Sequence, residues 1–200
     1  MISRPNILEK PDKLEKYTSL MQAQTDYLHK HIENLVKVIK TDNIPLAIQK
    51  ERLHPNDLIK NALEQMQLQI EETKAIIEFH PDSNNSIIRA DRNNLYIVLL
   101  NLISNAIKYS RQPHIVITTN AYNKRYFISI LDNGIGIDKK FVNKLFGKFY
   151  RVPAGDLHNT KGLGLGLYFV HKIIAAHGGK VVVNSIVGIG TEFKIILPVR

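Results

Sequence analysis

Apolar residues first recur with helical spacing between Asp12 and Lys40. Leu14, Tyr17, Met21, Leu28, Leu35 and Val38 form a seam that Ile32 and Ile39 widen, with no Gly or Pro between them. The pattern predicts one long helix with a coiled-coil-like stripe. Gln24 and His31 interrupt that seam, and an apolar stripe of this length needs a partner helix in water. Asp42, Asn43 and Pro45 end the helix, which sets the expected domains at 1–45 and 46–200.

Beyond residue 45 the period changes repeatedly. Residues 47–53 read as a short strand, and Asn56 or Asp57 in the turn after His54 and Pro55 can cap a helix running to about Gln69. Strands are expected over 74–79 and 86–89, around a loop from Pro81 to Asn85. Asp91 opens a strongly apolar helix to about Tyr109. Strands over 115–119 and 126–131 follow, joined by a turn at Asn123 and Lys124. A helix over about 164–177 ends at Gly178 and Gly179. Strands 180–186 and 191–197, with Gly188 and Gly190 between them, close the chain. Hairpin-like connections outnumber βαβ units, so the expected class is α+β, a two-layer α/β sandwich, rather than a doubly wound parallel sheet.

Composition narrows the chemistry. With no cysteine the chain has neither disulfides nor a thiolate metal site, as suits a reducing cytoplasm. The longest mostly apolar stretch, 95–103, is broken by Asn101 and is about half of the roughly 20 residues a bilayer span needs. Pro5 and the charges at Arg4, Glu9 and Lys10 leave no signal peptide. The formal charge is +9, from 27 Lys and Arg against 18 Asp and Glu. Residues 138–200 alone hold 10 basic and 3 acidic side chains. An anionic partner follows, but no basic run longer than Lys139 and Lys140 marks a nucleic-acid-binding face.

Four stretches carry candidate chemistry. In NLISNAIKYS (101–110), Asn101, Asn105 and Lys108 share one helix face, where buried amides must find partners. In DNGIGI (132–137), a carboxylate at a strand end stands beside glycines that let a ligand approach the backbone closely. FGKFYR (146–151) places aromatics and cations where regular structure is weakly signalled. GLGLGLY (162–168) runs into a helix whose amides suit phosphate. Each has a plain structural alternative: a solvated or capping amide, a common turn, a surface loop that docks its Phe residues, a flexible glycine run.

In this order and spacing, and followed by HGGK (177–180) and GIGTEFKIILP (188–198), the stretches resemble the N, G1, F and G2 boxes of the sensor histidine kinase catalytic domain. That domain belongs to the ATP-binding superfamily shared with type II topoisomerases, mismatch-repair ATPases and heat-shock chaperones. The resemblance implies a Bergerat-type fold over 46–200, a mixed sheet backed by three helices, with ATP between the helices and a mobile lid. It implies that Asn105 coordinates Mg²⁺ on the ATP phosphates with support from Asn101. Lys108 would contact phosphate and Tyr109 would lie against adenine. Asp132 would accept from the adenine amino group, with Thr191 nearby. Gly134 and Gly136 would start the lid, and Gly162, Leu163, Gly164, Leu165 and Gly166 would close it over the phosphates. Arg151, beside Tyr150, would reach the γ-phosphate.

The hydrolytic relatives carry a glutamate one turn before the Mg²⁺ asparagine. Here that position is Asn101, which is no base, so the resemblance implies phosphoryl transfer to protein rather than hydrolysis. Residues 12–40 resemble the second helix of the dimerisation hairpin, and none of the eight histidines has the acceptor's setting. The expectation is therefore a fragment that begins after the acceptor helix, with an unusual acceptor at His29 or His31 as the alternative. Expected partners are ATP, the acceptor helix of its own kinase, a response regulator and a second copy in a homodimer. No nucleic acid and no direct membrane contact of this fragment are expected. It would be the cytoplasmic portion of a membrane-anchored kinase. A nucleotide-binding module without transfer activity and a superfamily ATPase are the competing functions.

Overall fold

A computed structural model describes Thr18, Thr25 and residues 46–152 and 163–199. The chain divides into two units, Met1–Pro45 and Leu46–Arg200. The long helix predicted over 12–40, with its seam and His29 and His31, lies outside the described residues, as does Gly162.

In the second unit the elements are β1 (Glu51–Leu53), α1 (Pro55–Gln65), α2 (Gln67–Thr73), β2 (Ile76–His80), β3 (Ile88–Ala90) and α3 (Arg92–Lys108). They continue with β4 (His114–Tyr122), β5 (Arg125–Asp132), α4 (Lys139–Val142), α5 (Gly166–Ala176), β6 (Lys180–Ile186) and β7 (Gly190–Pro198). β1 and β3 form a small antiparallel sheet. The main sheet has the order β2-β4-β5-β7-β6, with β2 parallel to β4 and the other pairs antiparallel. It is therefore mixed, and α1, α3 and α5 cover it, as the expected sandwich requires.

Local chemistry explains the main elements. Asn123 and Lys124 both adopt positive φ, 49° and 58°, which gives the β4–β5 hairpin a two-residue turn matching the strand twist. That turn fixes a register in which Ile117 faces Ile130 and Thr119 faces Ile128. Asp91 caps α3, its Oδ1 accepting from Asn94 N at 2.9 Å. From there Leu95, Val98, Leu99, Leu102, Ile103 and Ala106 are buried at helical spacing. Truncating a central one, Leu99→Ala, would cost about 3 kcal/mol.

Two expectations are corrected. The strand expected over 47–53 shortens to β1: before it, Gln49 N donates to the Asp91 carboxylate instead of to a neighbouring strand, and the Lys50 side chain reaches His177 O. The first helix begins at Pro55, whose fixed φ suits the first helical turn. Asn56 does not cap it and is buried instead, and the helix breaks at Met66 before resuming as α2 to Thr73. The strands flanking the 81–85 loop do not pair with each other: β3 pairs with β1, and β2 joins β4 in parallel.

Candidate functional site

On β5 the core-facing positions Tyr126, Ile128 and Ile130 are buried, and the next in that column is Asp132. A carboxylate that continues an apolar column needs a reason. Asp132 is only 8% exposed and stands opposite Thr191, itself buried, on β7. Its Oδ1 accepts from Gly134 N at 2.8 Å and Thr191 N at 3.2 Å. Among the described residues no donor reaches Oδ2. Burial pushes the Asp132 pKa above its ordinary value of 3.8, against those two backbone hydrogen bonds. A buried carboxylate with one unanswered oxygen is an acceptor held for a donor outside the protein.

The glycines show how tightly the surrounding backbone closes on this point. A Cβ on Gly134 would lie 2.7 Å from both Asp132 Oδ1 and Tyr109 O. Ile135 N also donates to Tyr109 O at 3.1 Å, which ties the segment after β5 to the end of α3. Gly136 has φ 68°, and a Cβ there would come within 2.0 Å of Ile186 O. Only glycine fits that turn.

The other stretches converge from α3. Asn101 Nδ2 donates to Ile97 O of its own helix at 2.9 Å, and its Oδ1 would stand 2.7 Å from a Cβ on Gly166, at the start of α5. Thus the glycine-rich stretch abuts the amide helix. Leu165 is buried and precedes α5 without a side-chain cap, so the first amides of the helix face outward to an anion or to water. Leu163 is exposed. Gly164, with φ 71°, lies against the backbone of Phe149 and Tyr150. Phe146 docks on His171 of α5, with ring centroids 5.2 Å apart, whereas Phe149 is exposed.

Asn105, half-buried one turn beyond Asn101, makes no side-chain hydrogen bond with the described residues. One turn further, Lys108 lies 5.4 Å from the Tyr109 ring. Burial, and then the positive charge of Arg151, hold the Lys108 pKa below its ordinary value. Two cations and the Asn105 amide therefore lie toward the C-terminal end of α3, whose Tyr109 carbonyl also contacts the segment after Asp132. Such a set suits a nucleotide: an acceptor for a base amino group, together with cations and amides for phosphates. Among the described residues no group of three His, Asp or Glu side chains suits a metal, and the amide oxygen of Asn105 is a hard donor at this site.

Sequence reasoning missed Ser185. Its hydroxyl links Thr191, Gly190 and Ile137 beneath the acceptor pocket. Its only signal was a hydroxyl near the end of a Val-rich strand, beside a glycine-containing hairpin.

Comparisons with known proteins bear on the family and the fold. A family model described as histidine kinase-, DNA gyrase B-, and HSP90-like ATPase matches residues 90–200. The sensor protein RprX of Bacteroides fragilis (strain YCH46) is 33% identical over 201 residues, covering 99% of this chain and 39% of RprX. The chain thus spans less than half of that curated relative. The nucleotide-free catalytic domain of histidine kinase ThkA superposes with a TM-score of 0.67 at 27% identity, over 76% of this chain and 96% of that one. Full-length ShkA in complex with AMPPNP gives a TM-score of 0.75 at 25% identity, over 92% of this chain and 38% of that one.

Proposed function

Because the chain belongs to the histidine kinase-, DNA gyrase B- and HSP90-like ATPase family, we propose that residues 46–200 bind Mg²⁺-ATP and transfer its γ-phosphoryl group to a histidine of a dimerisation helix. A response-regulator aspartate would then receive it. Asn101 carries the choice of transfer over hydrolysis. Its amide is not a base, its NH₂ is engaged by Ile97 O, and its oxygen is packed against Gly166, so it activates no water. In the transfer an imidazole nitrogen of the acceptor forms the new N–P bond as the bond to the ADP oxygen breaks.

Each residue has a part that its position supports. Asp132 takes the adenine amino group, and Thr191 lies across from it. Tyr109 flanks the base. Gly134 and Gly136 let the backbone close around the Asp132 end, and Gly164, Leu165 and Gly166 bring the α5 amides to the phosphates. Lys108, whose pKa burial and then the Arg151 charge hold down, and Arg151 itself offset phosphate charge. Tyr150 and Leu163 border that end. Asn105 would hold Mg²⁺ through its amide oxygen, and the ion would neutralise charge on the β- and γ-phosphates. Among the described residues no helix is long and apolar enough to cross a membrane, which is compatible with a cytoplasmic catalytic unit.

The test pairs the chain with a separately made helical hairpin carrying the acceptor histidine and labelled ATP. Acid-labile phosphate should appear on the hairpin and fall by at least about a hundredfold with Asn105→Asp. Free phosphate released at the same rate without the hairpin would overturn transfer in favour of hydrolysis.

A further inference from the structure

The hydroxyl of Ser185, on β6 and outside the set that would touch the nucleotide, sits at the junction of three polar contacts. Ile137 N donates to its Oγ at 2.7 Å, Oγ lies 2.9 Å from Gly190 O, and Thr191 Oγ1 is 2.9 Å away on the facing strand. A serine hydroxyl has one proton and two lone pairs. Gly190 O is acceptor-only and Ile137 N–H is donor-only, so satisfying all three contacts leaves a single assignment. The Ser185 proton goes to Gly190 O, one lone pair takes Ile137 N–H, and the other takes the Thr191 proton. The reverse orientation between the two hydroxyls would leave Gly190 O without this donor.

This direction has a consequence for Asp132. Thr191 N–H and Gly134 N–H are engaged by Asp132 Oδ1, Ile137 N–H by Ser185, and now the Thr191 O–H as well. Every one of these donors is turned into the protein. Of these groups, among the described residues, what remains available is Asp132 Oδ2 and the lone pairs of Thr191 Oγ1, acceptors alone.

We propose that Ser185 is a positioning residue for base selection: by holding the Thr191 proton away from the pocket, it keeps the Asp132 end acceptor-only and so selective for a base with an amino group there over one with a keto oxygen. Remove the Ser185 hydroxyl and Thr191 is free to rotate and donate. A keto base then gains a partner that it lacks in the native pocket. The inference rests on the nucleotide reading of the site and names what enforces its selectivity.

The experiment is calorimetry of Mg²⁺-ADP and Mg²⁺-GDP on the full chain, with Tm alongside. Wild type that binds neither would refute the nucleotide reading itself. Given binding, Ser185→Ala should lower the ADP-to-GDP affinity ratio about tenfold, and Ser185→Thr, which restores a hydroxyl, should return the ratio to that of wild type. Ser185→Cys, close in size but a poor hydrogen-bonding group, should behave as Ser185→Ala and replaces it if the alanine variant does not fold. An equal loss of affinity for both nucleotides, or an unchanged ratio, would show that Ser185 only supports the fold and would overturn the proposal.

Discussion

The core face of β5 begins and ends in a polar cluster, and the two are built differently. At the Tyr126 end, Asn56 Oδ1 accepts from Thr119 Oγ1 at 2.8 Å and Tyr126 OH at 2.9 Å, and Asn56 Nδ2 donates to Asp82 O at 3.3 Å. Asp82 N returns to Thr119 Oγ1 at 2.7 Å, and the Asp82 carboxylate takes Ser86 N and Oγ. At the other end, roughly 20 Å away at strand rise, Asp132 is answered on one oxygen only. Both clusters are buried and both join several elements. The closed one, with each amide and hydroxyl engaged, holds α1 and the 81–86 loop onto the sheet; the open one leaves an acceptor for something the chain does not supply.

Breaking the closed cluster should give the largest effect, and on stability alone. Asn56→Ala orphans the Thr119 and Tyr126 hydroxyls and leaves a small cavity, a loss of about 3 kcal/mol. For a domain of this size that is a Tm fall of about 6–12 °C by scanning calorimetry. ADP affinity of the folded fraction should stay within about twofold, since the cluster makes no part of the pocket. A matching loss of affinity would show that the two ends are one coupled unit.

The open cluster should fail in the opposite way. Asp132→Asn keeps an oxygen for Gly134 N and Thr191 N but replaces the other acceptor with an amide that opposes an amino group. ADP affinity should drop about a hundredfold, with Tm equal to or above that of wild type. The sign follows from burial, which raises the Asp132 pKa above 3.8. Ionised Asp132 therefore opposes folding: its favourable contribution is present in acid, below 3.8, and is lost as pH rises through the raised value. Nucleotide affinity runs the other way. It is complete above the raised value and declines as pH falls through it, whereas the asparagine variant should be flat over the same range. A Tm loss in Asp132→Asn as large as that in Asn56→Ala would erase the distinction between the ends.

How much of this contrast was legible in the sequence depends on range. Asp91 as a cap, the turn at Asn123 and Lys124 and the two closing strands follow from local rules, and the boxes with their order announced Asn105, Asp132 and Gly134. Asn56 was read as a cap because a turn precedes it, yet Pro55 already starts the helix and frees Asn56 to reach Thr119 and Tyr126, 63 and 70 positions away. Ser185 was missed for the same reason. Its meaning comes from Ile137, 48 residues distant, and from a facing strand. The pairing of β3 with β1 likewise depends on a contact that no local pattern encodes. Long-range polar partners, not apolar periodicity, are what the one-dimensional reading lacks.

His177 provides a smaller and sharper check that a closed polar site responds through stability. Asp91 N donates to its Nε2 at 2.9 Å, so the ring proton is on Nδ1 and goes to Ile173 O at 2.7 Å. Both nitrogens are engaged only in the neutral ring; a second proton would face the Asp91 amide. Burial holds the His177 pKa below its ordinary 6.5 and the nearby Lys50 charge adds to this, while the Ile173 carbonyl and the Asp91 carboxylate act in the opposite sense. The unfolded chain therefore takes this proton first. Stability from His177 is complete above about 6.5 and is lost as pH falls through the depressed folded value. His177→Gln keeps a donor and an acceptor but does not titrate. The difference in Tm between wild type and that variant should be constant from pH 9 to 7 and should shrink below about pH 6.5. Every other group is common to both proteins and cancels in the difference. A difference that stays constant to pH 5 would mean that His177 is protonated in the folded chain and that its site is open, like that of Asp132.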